Sequence, residues 1–217
     1  MPTAAYLETG TKKVFAVALD WPGWARAAKT EDAALEALAA YAARYAPVPA
    51  AAGVRFPANA AASIDVVARV EGDGSTDFGV LGAVLDDDHQ PLTAARARRQ
   101  ASLVEATWRV FDEVVAAAPA SLRKGPRGGG RDRDAIVEHV VNAEAVYARK
   151  LGLKRRAPDP TDAGAVAQAR RALLDVLAGG TPPDPPAGKG WPVAYGARRV
   201  AWHVLDHTWE IEDRTER

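Results

Sequence analysis

The hydrophobic pattern changes along the chain, from short alternating stretches in the first 88 residues to long helical periodicities after residue 92. Residues 13–20 combine β-branched and aromatic side chains, which predicts a strand, and residues 24–29 are predicted as its return partner. Between them, the run Asp20-Trp21-Pro22-Gly23 has proline and glycine at positions where a tight turn needs them. The pattern therefore predicts a β-hairpin near the start of the chain.

One helix and two strands are predicted after this hairpin, at residues 31–45, 63–70 and 78–85. Thr30 is a suitable N-cap for the helix, and Pro47 and Pro49 are expected to end it. The strand at residues 63–70 shows apolar and polar alternation. We therefore expect a small α+β domain over residues 1–88, with the element order β-β-α-β-β.

From residue 92 onward, apolar positions recur at helical spacing in four segments. The predicted helices cover residues 92–118, 132–151, 163–177 and 192–214. Breakers rich in proline and glycine separate them, at residues 119–130, 156–162 and 179–192. Four amphipathic helices with three breakers predict a four-helix bundle over residues 89–217, so the predicted fold class of the whole chain is α+β.

The composition of the chain excludes several kinds of partner and several kinds of catalytic or metal-binding group. The 28 basic and 28 acidic side chains balance, so neither nucleic-acid binding nor membrane-surface binding is predicted. The absence of cysteine removes disulfides, thiolate nucleophiles and cysteine-based metal sites. No stretch approaches the roughly 18 apolar residues of a membrane span, and the N-terminus has no signal-peptide pattern. A cytoplasmic protein is therefore expected.

Histidine spacing gives the strongest indication of chemistry. His203 and His207 are four residues apart in the last predicted helix, so both imidazoles face the same side and can meet one ion. His139 lies in the second bundle helix. Three imidazoles form a plausible facial site with open positions for water or substrate, and zinc, nickel, iron or manganese would suit it. The fourth histidine, His89, lies at the domain junction and is left out of the predicted site.

The same histidines are also compatible with a solvated polar stripe. One arc of the last helix carries only polar residues, namely Arg199, His203, Asp206, His207, Glu210 and Arg214. The apolar remainder is wide for an outer helix, which favours a polar arc that lines an internal cleft. In that case Glu210 is the candidate catalytic base or an orienting group, and Asp206 could accept a ring N–H of His203. Glu144, on the apolar side of its helix, is expected to form a salt bridge with Arg199 or to bond a tryptophan indole.

Residues of about 92–217 resemble the DinB-like superfamily, which includes the bacillithiol and mycothiol S-transferases. The resemblance rests on one histidine in the second helix and the HxxxH pair in the fourth, with the flanking runs Asp134 to His139 and Tyr147 to Gly152. It implies an up-down-down-up bundle, a divalent metal bound by the three imidazoles, and frequent dimerisation. The segment Thr208 to Asp213 departs from the small polar stretch that many relatives have after the pair.

Residues 13–46 separately resemble HicB-like antitoxin domains. The matching features are the strand Val14 to Asp20, the Asp20-Trp21-Pro22-Gly23 turn, and an alanine- and leucine-rich helix after Thr30. No DNA-binding extension is evident. The resemblance therefore implies a small domain that covers the cleft, binds a partner or pairs protomers.

Two main hypotheses follow for function. The first is a metal-dependent enzyme, either a thiol-dependent S-transferase or a metal-assisted hydrolase, which acts on a small molecule and uses a low-molecular-weight thiol as co-substrate in the transferase case. The second is a non-catalytic metal- or ligand-binding protein or sensor, whose N-terminal domain contacts a partner. A purely structural module is the third and predicts no metal.

Overall fold

The computed structural model describes residues 2–125, 129–179 and 190–215. The described chain is mixed α+β, as predicted from the sequence. Its strands are β1 Thr3–Thr9, β2 Val14–Ala18, β3 Ala25–Ala28 and β4 Ile64–Glu71. Its helices are α1 Glu31–Ala40, α2 Ala42–Tyr45, α3 Pro47–Ala51, α4 Gly74–Phe78, α5 Ala94–Ala117, α6 Arg133–Lys150, α7 Ala163–Gly179 and α8 Val193–Thr215, with a 3-10 helix at Asp86–His89.

The four strands form one sheet in the order β3-β2-β1-β4, with β1 parallel to β4 and the other pairs antiparallel. Strands β2, β3 and β4 confirm three predicted strands. The predicted order β-β-α-β-β was wrong, first because β1 was not anticipated. Its residues Ala5, Tyr6 and Leu7 are all fully buried, so both faces are apolar and the alternation that identifies a half-exposed strand is missing.

The predicted strand at residues 78–85 is wrong. The carboxylate of Glu8, fully buried on β1, accepts hydrogen bonds from the Gly82 N–H at 3.0 Å and the Ala83 N–H at 2.9 Å. It also accepts one from the Thr76 hydroxyl at 2.6 Å. These backbone donors are therefore not available for strand pairing, and the segment packs on the sheet as a loop.

The first predicted helix is divided into three short helices. Thr30 caps α1 as expected, since its hydroxyl accepts a hydrogen bond from the Ala33 N–H at 3.2 Å. The segment ends at Tyr45, before Pro47, as expected, but a separate short helix, α3, begins at Pro47 and includes Pro49. Pro47 is at the start of α3, where a missing N–H costs no helical hydrogen bond.

The four predicted long helices are confirmed as α5, α6, α7 and α8, within a few residues at each end. Helix α5 packs against α7 and α8, and α6 contacts both α7 and α8. The breakers at residues 119–130 and 179–192 lie partly outside the described residues. A domain boundary at residues 88/89 stays a prediction.

Helix α8 connects the three apolar clusters that the described residues form. Most of it is buried along residues 193–211. Val200 and Val204 belong to the cluster among the long helices, Leu205 packs with one face of the sheet, and Trp202 packs with the other. Because α8 contacts apolar side chains on several sides, its polar side chains have few directions in which to reach solvent.

Candidate metal centre

Two helices carry the three predicted histidines to one place. His203 and His207 lie on successive turns of α8, and His139 lies on α6, which packs against α8. Their ring centroids are 4.7 to 5.1 Å apart. The structure therefore brings together residues that are 64 positions apart in the chain.

The spacing of the ring nitrogens suits one metal ion. The Nε2 atoms of His139 and His203 are 3.2 Å apart, and one ligand atom from each of the three residues lies within 4.8 Å of the others. Two nitrogens bound at about 2.0–2.1 Å to a tetrahedral zinc ion would be separated by about 3.3–3.4 Å. The three imidazoles thus lie close enough to bind a single divalent ion, and their donor set does not distinguish among zinc, nickel, iron and manganese.

Burial favours the neutral form of His139 and His203, which is the form that binds metal ions. Burial, the neighbouring His207 and the Arg199 guanidinium lower the pKa of His203 to about 2. Burial, with a further contribution from His207, also lowers the pKa of His139. Neutral imidazole has a free lone pair, so the two rings are ready to act as ligands at neutral pH without first losing a proton.

Glu210 orients one of the rings. Its Oε2 lies 2.7 Å from His207 Nδ1, which leaves Nε2 of His207 as the nitrogen that can reach an ion. Its Oε1 accepts a hydrogen bond from the Arg214 guanidinium at 2.7 Å. Carboxylates commonly hold metal-binding histidines in this way. The hydrogen bond to His207 lowers the pKa of Glu210, which makes this carboxylate a weaker base, so its predicted catalytic role stays a prediction.

Two other predicted polar contacts are wrong. Asp206 does not bond the His203 ring, because its carboxylate faces Arg26 at 3.3 Å. The Nδ1 atom of His203 is buried and has no hydrogen-bond partner within the described residues. Glu144 pairs with Arg170 at 3.2 Å rather than with Arg199. The predicted alternative partner, a tryptophan indole, is Trp108, whose interaction with Glu144 opposes the rise that burial causes in the pKa of this carboxyl.

Arg199 lies beside the site, as its place on the predicted polar arc indicated, but its contacts with aromatic rings were not predicted. Its guanidinium lies over the rings of Tyr147 and Trp202, at 4.9 and 4.6 Å from their centroids. Tyr147 in turn meets His203 edge to face at 5.5 Å. Arg199 and Trp202 are three residues apart on α8, which is a spacing that allows contact, but Tyr147 reaches the guanidinium from α6 and helical spacing does not predict that contact.

No described helix is both long enough and apolar enough to cross a membrane. In comparisons with known proteins, no family model, curated protein or solved structure matches the chain. Functional inference therefore depends on the geometry of the site itself.

Proposed function

We propose that this chain is a divalent-metal-dependent enzyme whose ion is held by His139, His203 and His207. The observation that carries the proposal is the convergence of these three imidazoles from α6 and α8. When bound, a divalent ion would supply Lewis acidity, which lowers the pKa of a thiol or water in the site. The proposed reaction is transfer of a low-molecular-weight thiol to a small electrophile, or hydrolysis of a small molecule.

The protein's own residues hold and shape this site. Glu210 fixes the orientation of His207 through Nδ1, and Arg214 holds Glu210 in turn. Tyr147 and the buried chain of α8 restrict the access of water around His203. A site that is partly screened from water strengthens the electrostatic interactions within it.

The packing of α5, α6, α7 and α8 supports the further proposal that these helices form a DinB-like bundle. All four helices contribute to one apolar cluster. The proposed N-terminal HicB-like unit would then be the sheet with α1, which packs against β2 and β3. Both assignments depend on the sequence resemblance and on these contacts.

A non-catalytic metal-binding or sensor protein is the second candidate. The observation in its favour is that both carboxylate oxygens of Glu210 are already engaged, one by His207 and one by Arg214. A general base has to be free to accept a proton from its substrate. In this alternative the three histidines bind an ion without turnover.

Metal analysis of the purified protein tests the site common to both candidates. We expect one divalent ion per chain, measured by elemental analysis after dialysis, and its loss in His203→Ala. The matched control is His89→Ala, because His89 is an exposed histidine outside the cluster. A full metal content in His203→Ala, or none in the unchanged protein after incubation with zinc, nickel, iron and manganese, would contradict the site.

Thiol transfer then separates the two candidates. The metal-loaded protein is assayed with a panel of low-molecular-weight thiols and a chromogenic electrophile, and with amide and ester substrates for hydrolysis. Turnover that is lost in both His139→Ala and His203→Ala supports the enzyme. A stoichiometric metal with no turnover on any substrate supports the binding protein.

A further inference from the structure

A cavity of about 410 Å³ lies between the sheet and α8, away from the three-histidine cluster. Its walls come from β2 and β3, from the turn after α4, and from Trp202 and Asp206 of α8. This volume is within the range of about 300–1,000 Å³ that is typical of small-molecule sites. None of the three histidines lines it, so it is a separate site on a neighbouring face of the same helix.

The cavity carries uncompensated positive charge. Lys13, Arg26 and Lys29 line it, whereas Asp206 is its only acidic lining residue. Asp206 is paired with Arg26 at 3.3 Å. Within the part of the chain that the structure describes, neither lysine forms an ion pair. Two positive charges are therefore left to attract an anion.

The ammonium of Lys13 lies next to Gly79. Gly79, which ends α4 at a φ of +87°, leaves room for it, because a Cβ atom at that position would lie 2.8 Å from Lys13 Nζ. The backbone of Lys13 is fixed as well, since its N–H donates to the Asp77 carboxylate at 3.3 Å and its carbonyl accepts from the Gly10 N–H at 2.8 Å.

Apolar rings adjoin these charges. Phe78, at the same cavity, is 88% exposed, although aromatic side chains of this size are normally covered. Phe15 and Trp202 pack edge to face at 5.9 Å and form the apolar floor. An exposed ring beside two free ammonium groups fits a ligand that has both an acidic group and a flat apolar body.

We propose that this cavity binds a small aromatic anion, whose acidic oxygens pair with Lys13 and Lys29 and whose ring packs between Phe78 and the floor. The proposal goes beyond the function proposed above, because it needs neither the metal nor the histidines. Carboxylate and phosphate share the chemistry that the lysines recognise, so the two are distinguished by experiment.

Benzoate and phenyl phosphate are the probes, with benzyl alcohol and inorganic phosphate as the neutral and ring-free controls. Each is titrated into the ¹⁵N-labelled full chain and followed by NMR, with the Trp202 indole and the amides of residues 13–29 as reporters. We expect at least one aryl anion to bind saturably, at least about tenfold more tightly than either control. The stronger of the two aryl anions identifies the acidic group.

The double variant Lys13→Gln/Lys29→Gln should weaken this binding at least about tenfold, since it removes both charges. Phe78→Ser should weaken it for the aryl anions alone. Lys12→Gln is the matched control, because Lys12 does not line the cavity. The His203→Ala variant should bind as tightly as the unchanged protein, which separates this site from an anion bound to a metal.

Three results would overturn the proposal. The first is the absence of saturable binding by either aryl anion at millimolar concentration. The second is equal affinity in the double-lysine variant, which would place the ligand elsewhere. The third is binding of a single-stranded oligonucleotide through the same lysines when neither aryl anion binds, which would make the surface a nucleic-acid contact.

Discussion

Glu210 lies between a candidate metal ligand and a cation, and this position determines what its removal should do. Its carboxylate touches His207 on one side and Arg214 on the other, and neither oxygen is directed to an empty position. A hydrogen bond to the far nitrogen of a ligating imidazole fixes the ring and makes it more basic. Glu210 is therefore expected to act on metal affinity before it acts on any reaction.

Replacement of Glu210 by glutamine should weaken metal binding by about 10–100-fold, because the ring loses its anionic partner. The measurement is a competitive titration with a chelator of known affinity. Glu138→Gln is the control, since Glu138 is an exposed acid directly beside His139. Unchanged affinity in Glu210→Gln with a loss of turnover would instead favour the predicted role as a base.

At the scale of single residues, the sequence predicted which histidines lie together better than it predicted the partners of the neighbouring charged groups. The four-residue spacing of His203 and His207 is a local property of one helix, and it was sufficient to place them on one face. The partner of Glu144 was not local, because Arg170 reaches it from α7. Which cation meets a buried carboxylate depends on how helices pack, and helical periodicity contains no such information.

The turn at Asp20-Trp21-Pro22-Gly23 contacts α8 through Gly23. Gly23 has a φ of +93°, and a Cβ atom there would lie 2.6 Å from a Leu205 methyl and 3.1 Å from the Ala201 backbone. A helix backbone cannot shift as a flexible side chain does. The turn therefore has two independent reasons for glycine, one conformational and one steric.

Gly23→Ala should destabilise the protein more than Gly53→Ala does. Gly53 also has a positive φ, of +65°, but nothing lies within 4 Å of its Cβ position. Gly53→Ala should cost only the conformational part, about 1–2 kcal/mol, and Gly23→Ala should cost a further 1–3 kcal/mol or so for the overpacked contact. Urea unfolding measures both, and equal losses would show that the turn does not press on α8.

A buried ion pair joins the 3-10 helix to α8. Arg198 and Asp88 are 2.6 Å apart, with side chains that are only 3% and 4% exposed. Asp88 also accepts a hydrogen bond from the Leu85 N–H at 2.9 Å. The pair therefore fixes the chain where it leaves the sheet and approaches the long helices.

Asp88→Ala should lower the free energy of unfolding by about 3–5 kcal/mol, because it leaves the buried Arg198 charge without its anionic partner. The control is Asp20→Ala, which removes an Arg96 partner at 3.1 Å in a pair whose side chains are 54% and 53% exposed. An exposed pair contributes about 0–1 kcal/mol. Urea unfolding measures the loss of unfolding free energy in both variants. Similar losses would show that the buried pair contributes no more to stability than the exposed pair does.

At the scale of elements, the sequence predicted what is periodic and missed what depends on one long-range contact. The long helices α5 to α8 repeat their apolar positions over many turns, so their prediction was confirmed. The segment at 78–85 has a pattern typical of a strand. However, the Gly82 and Ala83 N–H groups donate to the Glu8 carboxylate on β1 and are not available to pair with a strand. A single buried carboxylate can thus override local preference.

In the whole molecule, α8 combines the structural and candidate functional roles. It contributes to each of the three apolar clusters and carries two of the three candidate metal-binding histidines. It also forms one wall of the cavity that Lys13 and Lys29 line. The width of its apolar arc in the sequence was the basis for the prediction that its polar arc lines a cleft, and the structure shows α8 buried along most of its length. An ion that joins α8 to α6 through His139 should consequently stabilise the fold as a whole.

Metal binding should therefore raise the melting temperature of the full chain. An ion that binds only the folded state, at a free concentration 100 times its dissociation constant, adds about 2.7 kcal/mol. For a chain of this size that corresponds to a rise of about 5–10 °C. Thermal unfolding, followed by circular dichroism with and without the ion, measures the rise, which should disappear in His203→Ala and persist in His89→Ala. A rise of the same size in His203→Ala would place the stabilising ion away from the three-histidine cluster.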